Sequence, residues 1–247
     1  MTLVLGFRLA KLVGLALFGA GCIGAALARE PRDRATFAYG LATAGWLASW
    51  LAGYGLMKSV GLKMSEPWLA AGMGFSFAAL LGAVLSAQGT RNPVWAGLSV
   101  GGLCGAVASM TLRSIPSVLP WAAGAAAVGF AVTAAIVAFR PDGTGAFEPR
   151  RAVGAWFDWM GRLEGLSLLA LFGVYMPAKY ALHIELDGGQ GWFGWVHGML
   201  FVSYLVALAS VTRVAGWPLT RAAMAFAASL VPFGTFVFEA RSKAWRT

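Results

Sequence analysis

The feature that most constrains this chain is its punctuation. Eight continuously apolar runs, at about 9–28, 36–57, 66–88, 93–112, 117–139, 163–183, 191–212 and 219–239, are separated by short breaks of charge, proline and glycine. Each is roughly 17 to 25 residues long, the length at which an α-helix crosses a hydrocarbon core. None alternates polar and apolar residues with the period of two that a transmembrane β-barrel needs. With 59% hydrophobic and 12% charged residues, a water-soluble domain of this size would have no way to hide its apolar surface. The expectation is an all-α integral membrane protein with about eight transmembrane helices. The first run continues to Ala28 without a small-residue cleavage site, so it reads as a retained helix and not a signal peptide.

The net charge of +9 would suggest nucleic acid in a soluble protein, but the basic residues stand at the ends of the apolar runs. There they anchor against phospholipid headgroups, so the expected partner is the bilayer, anionic lipids in particular, and not nucleic acid. Eight passes place both termini on one side. That side collects nine basic residues and the other ten, so the overall count does not choose an orientation. The basic tail "RSKAWRT", with Arg8 and Lys11, favours cytoplasmic termini. Trp156 and Trp159, beside Arg150 and Arg151, suggest an interfacial linker before the sixth run. Cys22 and Cys104 lie within helices and have no ligand-spaced His or Cys neighbours, so no metal and no cofactor is expected.

An internal repeat is visible. "RLAKLVGLALFG" (8–19) matches "RLEGLSLLALFG" (162–173) at eight of twelve positions. At the same offset of 154, Tyr39-Gly40 falls on Phe193-Gly194, and Ser49-Trp50-Leu51 falls on Ser203-Tyr204-Leu205. The copies start at helices one and six. Five helices separate them, and an odd number inverts the second copy in the membrane, as in many secondary transporters. The expected organisation is a first three-helix repeat (1–90), a Gly/Ala-rich hairpin of helices four and five (91–140), an interfacial linker (141–160) and a second three-helix repeat (161–247). In helix four, Gly97, Gly101, Gly105 and Ser109 recur at spacing four, a smooth stripe that admits a neighbouring backbone. A contact within the chain, after the "RSIPS" turn, is preferred over self-association.

Charges inside apolar runs are costly and therefore informative. Glu164 and Lys179 stand fifteen residues apart on helix six, roughly 22 Å, so they face opposite surfaces and do not pair. On the Lys179 side the order of helices gathers Tyr180, His183, Glu185, Asp187, His197 and Glu239 as a candidate polar or binding cluster. Pro177 and Pro232 are candidate helix breaks beside it. Glu164 is expected to be a structural charge, paired with Arg162, Arg213 or Arg221. The first repeat has Ala10, Ala25 and Thr43 where the second has Glu164, Lys179 and His197, so any site belongs to the second half.

Residues 160–243 carry "EGLS" (Glu164–Ser167), "PAKY" (Pro177–Tyr180), "GWVHG" (Gly194–Gly198) with Phe201 and Tyr204, and "PFGTF" (Pro232–Phe236). In these motifs the segment, about a third of the chain, resembles the small three-helix bacterial membrane proteins catalogued as domain of unknown function 3817. The family's usual "PLKY" is "PAKY" here. The resemblance implies a multi-pass protein of the bacterial inner membrane and no particular chemistry.

Three functions fit the residues. Short loops and the glycine stripe suit a non-catalytic subunit or scaffold of a membrane assembly, which is preferred, with other membrane subunits or a second copy as partners. The inverted halves and the ionisable cluster around Lys179 and His197 suit a small transporter or permease. A lipid- or quinone-modifying enzyme is third, since HExxH, GxSxG, paired aspartates and Cys/His clusters are all missing from the sequence.

Overall fold

A computed structural model describes residues 2–89, 91–115, 117–139, 142–143, 147–187 and 191–243, for residues 2, 242 and 243 the backbone only. Pro116 of the "RSIPS" turn and residues 244–247 of the basic tail lie outside these residues. The described chain is helical throughout, with no strand, and divides into two compact units, Met1–Pro149 and Arg150–Thr247.

The first unit contains α1 (Thr2–Leu27), α2 (Pro31–Ala35), α3 (Thr43–Ser59), α4 (Pro67–Ser86), α5 (Pro93–Thr111) and α6 (Val118–Ala138). A π-helical segment, Thr36–Ala42, joins α2 to α3 without a break. Proline opens α2, α4 and α5, where its missing N–H leaves nothing unsatisfied. Asn92 caps α5, its side chain accepting from the amide of Val94 at 2.8 Å.

Lipid offers no hydrophobic drive between helices, so packing rests on close backbone approach and interhelical hydrogen bonds. At Gly14 of α1, an added Cβ would stand 2.5 Å from the Ser49 amide of α3, and at Gly101 of α5 it would stand 2.6 Å from the Ala126 carbonyl of α6. The glycine stripe of α5 is thus occupied from within the unit: Gly97 also faces Phe130 of α6, and Gly105 faces Phe75 of α4. Ser86 and Ser99 donate to the carbonyls of Ala25 and Cys22, each at 3.1 Å, tying α4 and α5 to α1. Trp46 and Trp50 both donate their indole N–H to Ser76 of α4, at 3.4 and 3.2 Å.

One polar node closes an end of this unit. Arg34 is fully buried, yet its guanidinium pairs with Asp142 at 2.9 Å and donates to the carbonyls of Gly89 (2.8 Å) and Arg29 (3.1 Å). Asp142 also accepts the amide of Arg91 at 2.9 Å, and the Arg91 side chain donates to Leu27 O at 3.0 Å. The carbonyls left at the end of α1 (Leu27 and Arg29) and after α4 (Gly89) are thereby paired and tied to Asp142.

The second unit contains α7 (Pro149–Ala170), α8 (Met176–Tyr180), α9 (Trp192–Ala215), α10 (Leu219–Ala228) and α11 (Gly234–Lys243). A π-helical segment, Leu171–Tyr175, joins α7 to α8. It lies just ahead of Pro177, whose ring would clash with the carbonyl of residue 173 in a regular helix.

Among the described residues, five helices are long and apolar enough to cross a membrane: Leu3–Leu27, Pro67–Ser86, Pro93–Thr111, Val118–Ala138 and Trp192–Ala215. The other three expected spans are helical but interrupted. The second and sixth carry π-helical segments, and the sixth has a polar first half. The eighth is two ten-residue helices parted at residues 229–233. The hairpin of α5 and α6, set apart in sequence, belongs to the first compact unit. The expected linker before residue 161 is mostly α7, whose Val153, Trp156, Phe157 and Met160 are buried while Trp159 is exposed.

Arg34→Met is expected to lower the stability of the first unit by about 2–4 kcal/mol, the scale for removing one partner of a buried charge network. Arg32→Met, at an exposed position two residues away, is expected to change it by less than about 0.5 kcal/mol. Unfolding titration of both variants in mixed micelles checks the difference.

Candidate functional site

The buried positions of α7 fall at Val153, Trp156, Phe157, Met160, Glu164 and Leu168. That spacing of three and four is the inward stripe of an amphipathic helix. Glu164 therefore occupies a core position, and its side chain is fully buried. Among the described residues neither carboxyl oxygen has a hydrogen-bond partner. A buried carboxyl without a partner is costly in an apolar interior, so its retention asks for a use.

Its surroundings come from α9 and α11. Ser167, one turn along α7, donates to the Glu164 carbonyl at 2.7 Å and lies 3.0 Å from Nδ1 of half-buried His197 on α9. Buried Tyr204, lower on α9, lies beside Gly161 of α7, where an added Cβ would come within 3.5 Å of its ring. Its hydroxyl donates to Ala225 O of α10 at 2.9 Å. Gly165 lets α11 approach: an added Cβ would meet the Phe236 ring at 2.8 Å and crowd the Thr235 hydroxyl. The break between α10 and α11, with Phe233 in the left-handed region at φ 66°, sets that helix start against α7. A cavity of about 10 Å³, room for one water, is lined by Asp158, Gly161, Tyr204, Thr235 and Glu239 among others. Three of the four sequence motifs, "EGLS", "GWVHG" and "PFGTF", thus meet where α7, α9 and α11 pack around the Glu164 turn.

The fourth motif stands elsewhere. Lys179 holds its ammonium 5.8 Å from the Tyr175 ring and 5.7 Å from the Tyr180 ring. Asp187 accepts from the Tyr175 hydroxyl at 3.3 Å and from the Trp192 amide at 2.9 Å, where it caps the positive end of α9. Tyr175 stacks on Phe193, centroids 4.7 Å apart. His183 is exposed, in the left-handed region at φ 55°.

The cluster expected around Lys179 is therefore divided. Tyr180 and Asp187 belong with it. His197 lies at the level of Ser167, twelve residues or roughly 18 Å back along the helix. Glu239 lies further still, paired in two hydrogen bonds with Arg162 (2.5 and 3.0 Å). Arg162 is thus engaged by Glu239 and not by Glu164, because it leaves the helix on the half-exposed face while Glu164 points inward. Thr235 and Tyr204 entered the sequence reading only as letters of motifs. The inward stripe of α7, extended back to Val153, was the signal that would have placed Glu164 in the core.

A helical membrane protein with a buried carboxyl beside a broken helix is the class these features define. The chain belongs to the family described as domain of unknown function DUF3817, whose model matches residues 155–244. It is similar to "Uncharacterized membrane protein YdzA" of Bacillus subtilis (strain 168), with 44% identity over 80 residues, 32% of this chain and 81% of that protein. No solved structure matches the chain.

Gly165→Val should separate α11 from α7 and lower the melting temperature in detergent by several degrees, equivalent to about 2 kcal/mol of overpacking. Gly173→Val, where an added Cβ meets nothing within 4 Å, should cost under about 1 kcal/mol. Parallel thermal scans of the two purified variants test this.

Proposed function

We propose that this is a small ion-coupled carrier of the bacterial cytoplasmic membrane in which Glu164 binds and releases the coupling proton or monovalent cation. The single observation that carries this reading is the fully buried Glu164 carboxyl without a partner among the described residues. Ionisable groups retained inside membrane segments mark ion and proton paths, and interrupted helices beside them are the usual setting. His197, reached through Ser167, is the neighbouring group able to exchange a proton, and Tyr204 and Thr235 supply hydroxyls at a small cavity beside Gly161, one turn from Glu164.

α10 and α11 do not add up to one span: Phe238 of α11 stands 6.0 Å from Trp217 ahead of α10, and Glu239 pairs with Arg162, so α11 returns to the end from which α10 sets out. The repeat has support in matching bonds. Trp50 and Tyr204 stand at the offset of 154, and each donates to the third helix of its own half, to Ser76 in α4 and to Ala225 in α10. Counting passes then inserts the two halves in opposite senses, with the α5–α6 hairpin between them. Only the second half carries the ionisable equipment, since Ala10 and Thr43 replace Glu164 and His197 in the first.

A subunit role in a larger membrane assembly is the second reading. It is favoured by the exposed run Tyr180, Leu182, Ile184 and Leu186 beyond Lys179, an apolar edge open to a partner.

In proteoliposomes holding a pH-sensitive dye, the protein is expected to speed dissipation of an imposed proton or sodium gradient. Glu164→Gln should reduce that rate at least tenfold, His197→Gln severalfold, and Arg32→Gln not at all. Wild-type vesicles no faster than empty ones, for either ion, would reject the carrier reading and favour the subunit. With Cys22 and Cys104 replaced, single cysteines at positions 32 and 185 should label from opposite sides of the membrane. Labelling from the same side would reject the inverted halves.

A further inference from the structure

A carboxyl in an apolar interior can hold a proton or a metal cation, and the two make opposite demands on its surroundings. A metal cation gives up hydration water on entering and needs several oxygen atoms converging on one point in its place. A proton needs neither ligands nor room, since the carboxyl holds it alone and becomes neutral. The surroundings of Glu164 therefore bear on which ion it takes.

The oxygens near Glu164 do not converge on its carboxyl. Glu164 lies within the regular turns of α7, where main-chain carbonyls are spent on the helix. Ser167 turns its hydroxyl to the Glu164 main-chain carbonyl at 2.7 Å and to Nδ1 of His197 at 3.0 Å. Tyr204 donates to Ala225 O at 2.9 Å. Among the described residues neither carboxyl oxygen receives a hydrogen bond. Packing closes the space as well: an added Cβ would stand 2.8 Å from the Phe236 ring at Gly165 and 3.5 Å from the Tyr204 ring at Gly161. The cavity of about 10 Å³ beside Gly161 has room for one water and is not lined by Glu164. A cation that kept part of its hydration shell would be too large for it.

The titratable groups around the carboxyl suit a proton. α7 itself carries Asp158 and Arg162, α9 contributes His197 and Tyr204, and α11 contributes Glu239 and exposed Arg241. Arg162 is committed to Glu239 at 3.0 Å, and Arg221 of α10 is held over the Trp217 ring at 5.5 Å, so among the described residues neither pairs with Glu164. Groups able to pass a proton stand on both sides of the carboxyl along α7. Asp158 and Glu239 lie at the cavity, roughly 9 Å towards the helix start, and His197 is reached through Ser167 one turn the other way. Such a series hands on protons but offers a metal ion no second resting place. We infer, on the reading that Glu164 is the ion-binding group, that this ion is a proton and that the site excludes sodium and other metal cations.

Dicyclohexylcarbodiimide tests this on the full-length protein in lipid vesicles. The apolar reagent enters the bilayer and adds a protonated carboxyl across one of its C=N bonds: the proton goes to nitrogen, and the carboxyl oxygen bonds to the central carbon. The acyl group then shifts from oxygen to nitrogen, leaving a stable N-acylurea that mass spectrometry locates. Adduct on Glu164 should exceed that on exposed Glu185 severalfold, fall as the pH rises, and be unchanged when sodium or lithium replaces choline at fixed pH. Infrared difference spectra of the same vesicles, acid minus alkaline, should contain a protonated-carboxyl band that Glu164→Gln removes and sodium leaves in place. Protection by sodium or lithium in either measurement would overturn the assignment, as would the lack of both signals at Glu164. The wild-type comparison between salts needs no variant, so a poorly folding substitution leaves the result intact. Neither measurement reads flux. Vesicles that dissipate no gradient while Glu164 labels as expected would reject the carrier reading and keep the proton site; sodium protection together with sodium flux would do the reverse.

Discussion

Hydrocarbon cannot hydrogen-bond, and the rest of this structure depends on that fact. Every polar group placed in it must find its partner within the protein. The first unit obeys at most of its interior sites: serines on α4 and α5 bond to carbonyls of α1, two tryptophans share Ser76, and Arg34 answers the carbonyls of Arg29 and Gly89, although the Gln88 amide has no partner among the described residues. Once those bonds are made, association needs only close contact, which glycine on α1 and α5 provides.

Among the described residues the second unit departs from the rule most sharply at the fully buried Glu164 carboxyl, and its helices are interrupted on either side of it. The π-helical turn before Pro177, the break between α10 and α11, and the left-handed Phe233 interrupt helices that could have run straight. Irregular backbone at membrane depth survives where protein or a small wet cavity surrounds it. Here it brings Thr235 and Phe236 onto α7 beside the carboxyl that has no partner among the described residues. Buried charge is used differently in the two units. Arg34 sits inside a satisfied network, which makes it a fastening. Glu164 has hydroxyls and an imidazole nearby but no bond of its own, which leaves it able to take a ligand.

The two arrangements of basic residues also differ in kind. Arg162 is held by Glu239 and Lys179 by two tyrosine rings, so both are committed within the protein. Arg213 has no such commitment among the described residues and stands at the end of an apolar groove.

The sequence by itself determined that this chain is a helical membrane protein, where most of its helices begin and end, and that its C-terminal third carries the family motifs. Those properties follow from run length, composition and proline placement, which act locally. It did not determine partners. Arg162 and Glu164 are two residues apart and look alike to a linear reading, but a helix turns about 200° between them, so one faces Glu239 and the other the core. Equally, the linear reading placed Glu239 and His197 with Lys179, because it treated 219–239 as one straight span. The break at residues 229–233 and the packing of α11 on α7 decided otherwise. Which charges meet, and which is left alone, was settled by tertiary packing because contact depends on helix rotation and bending that no single segment encodes.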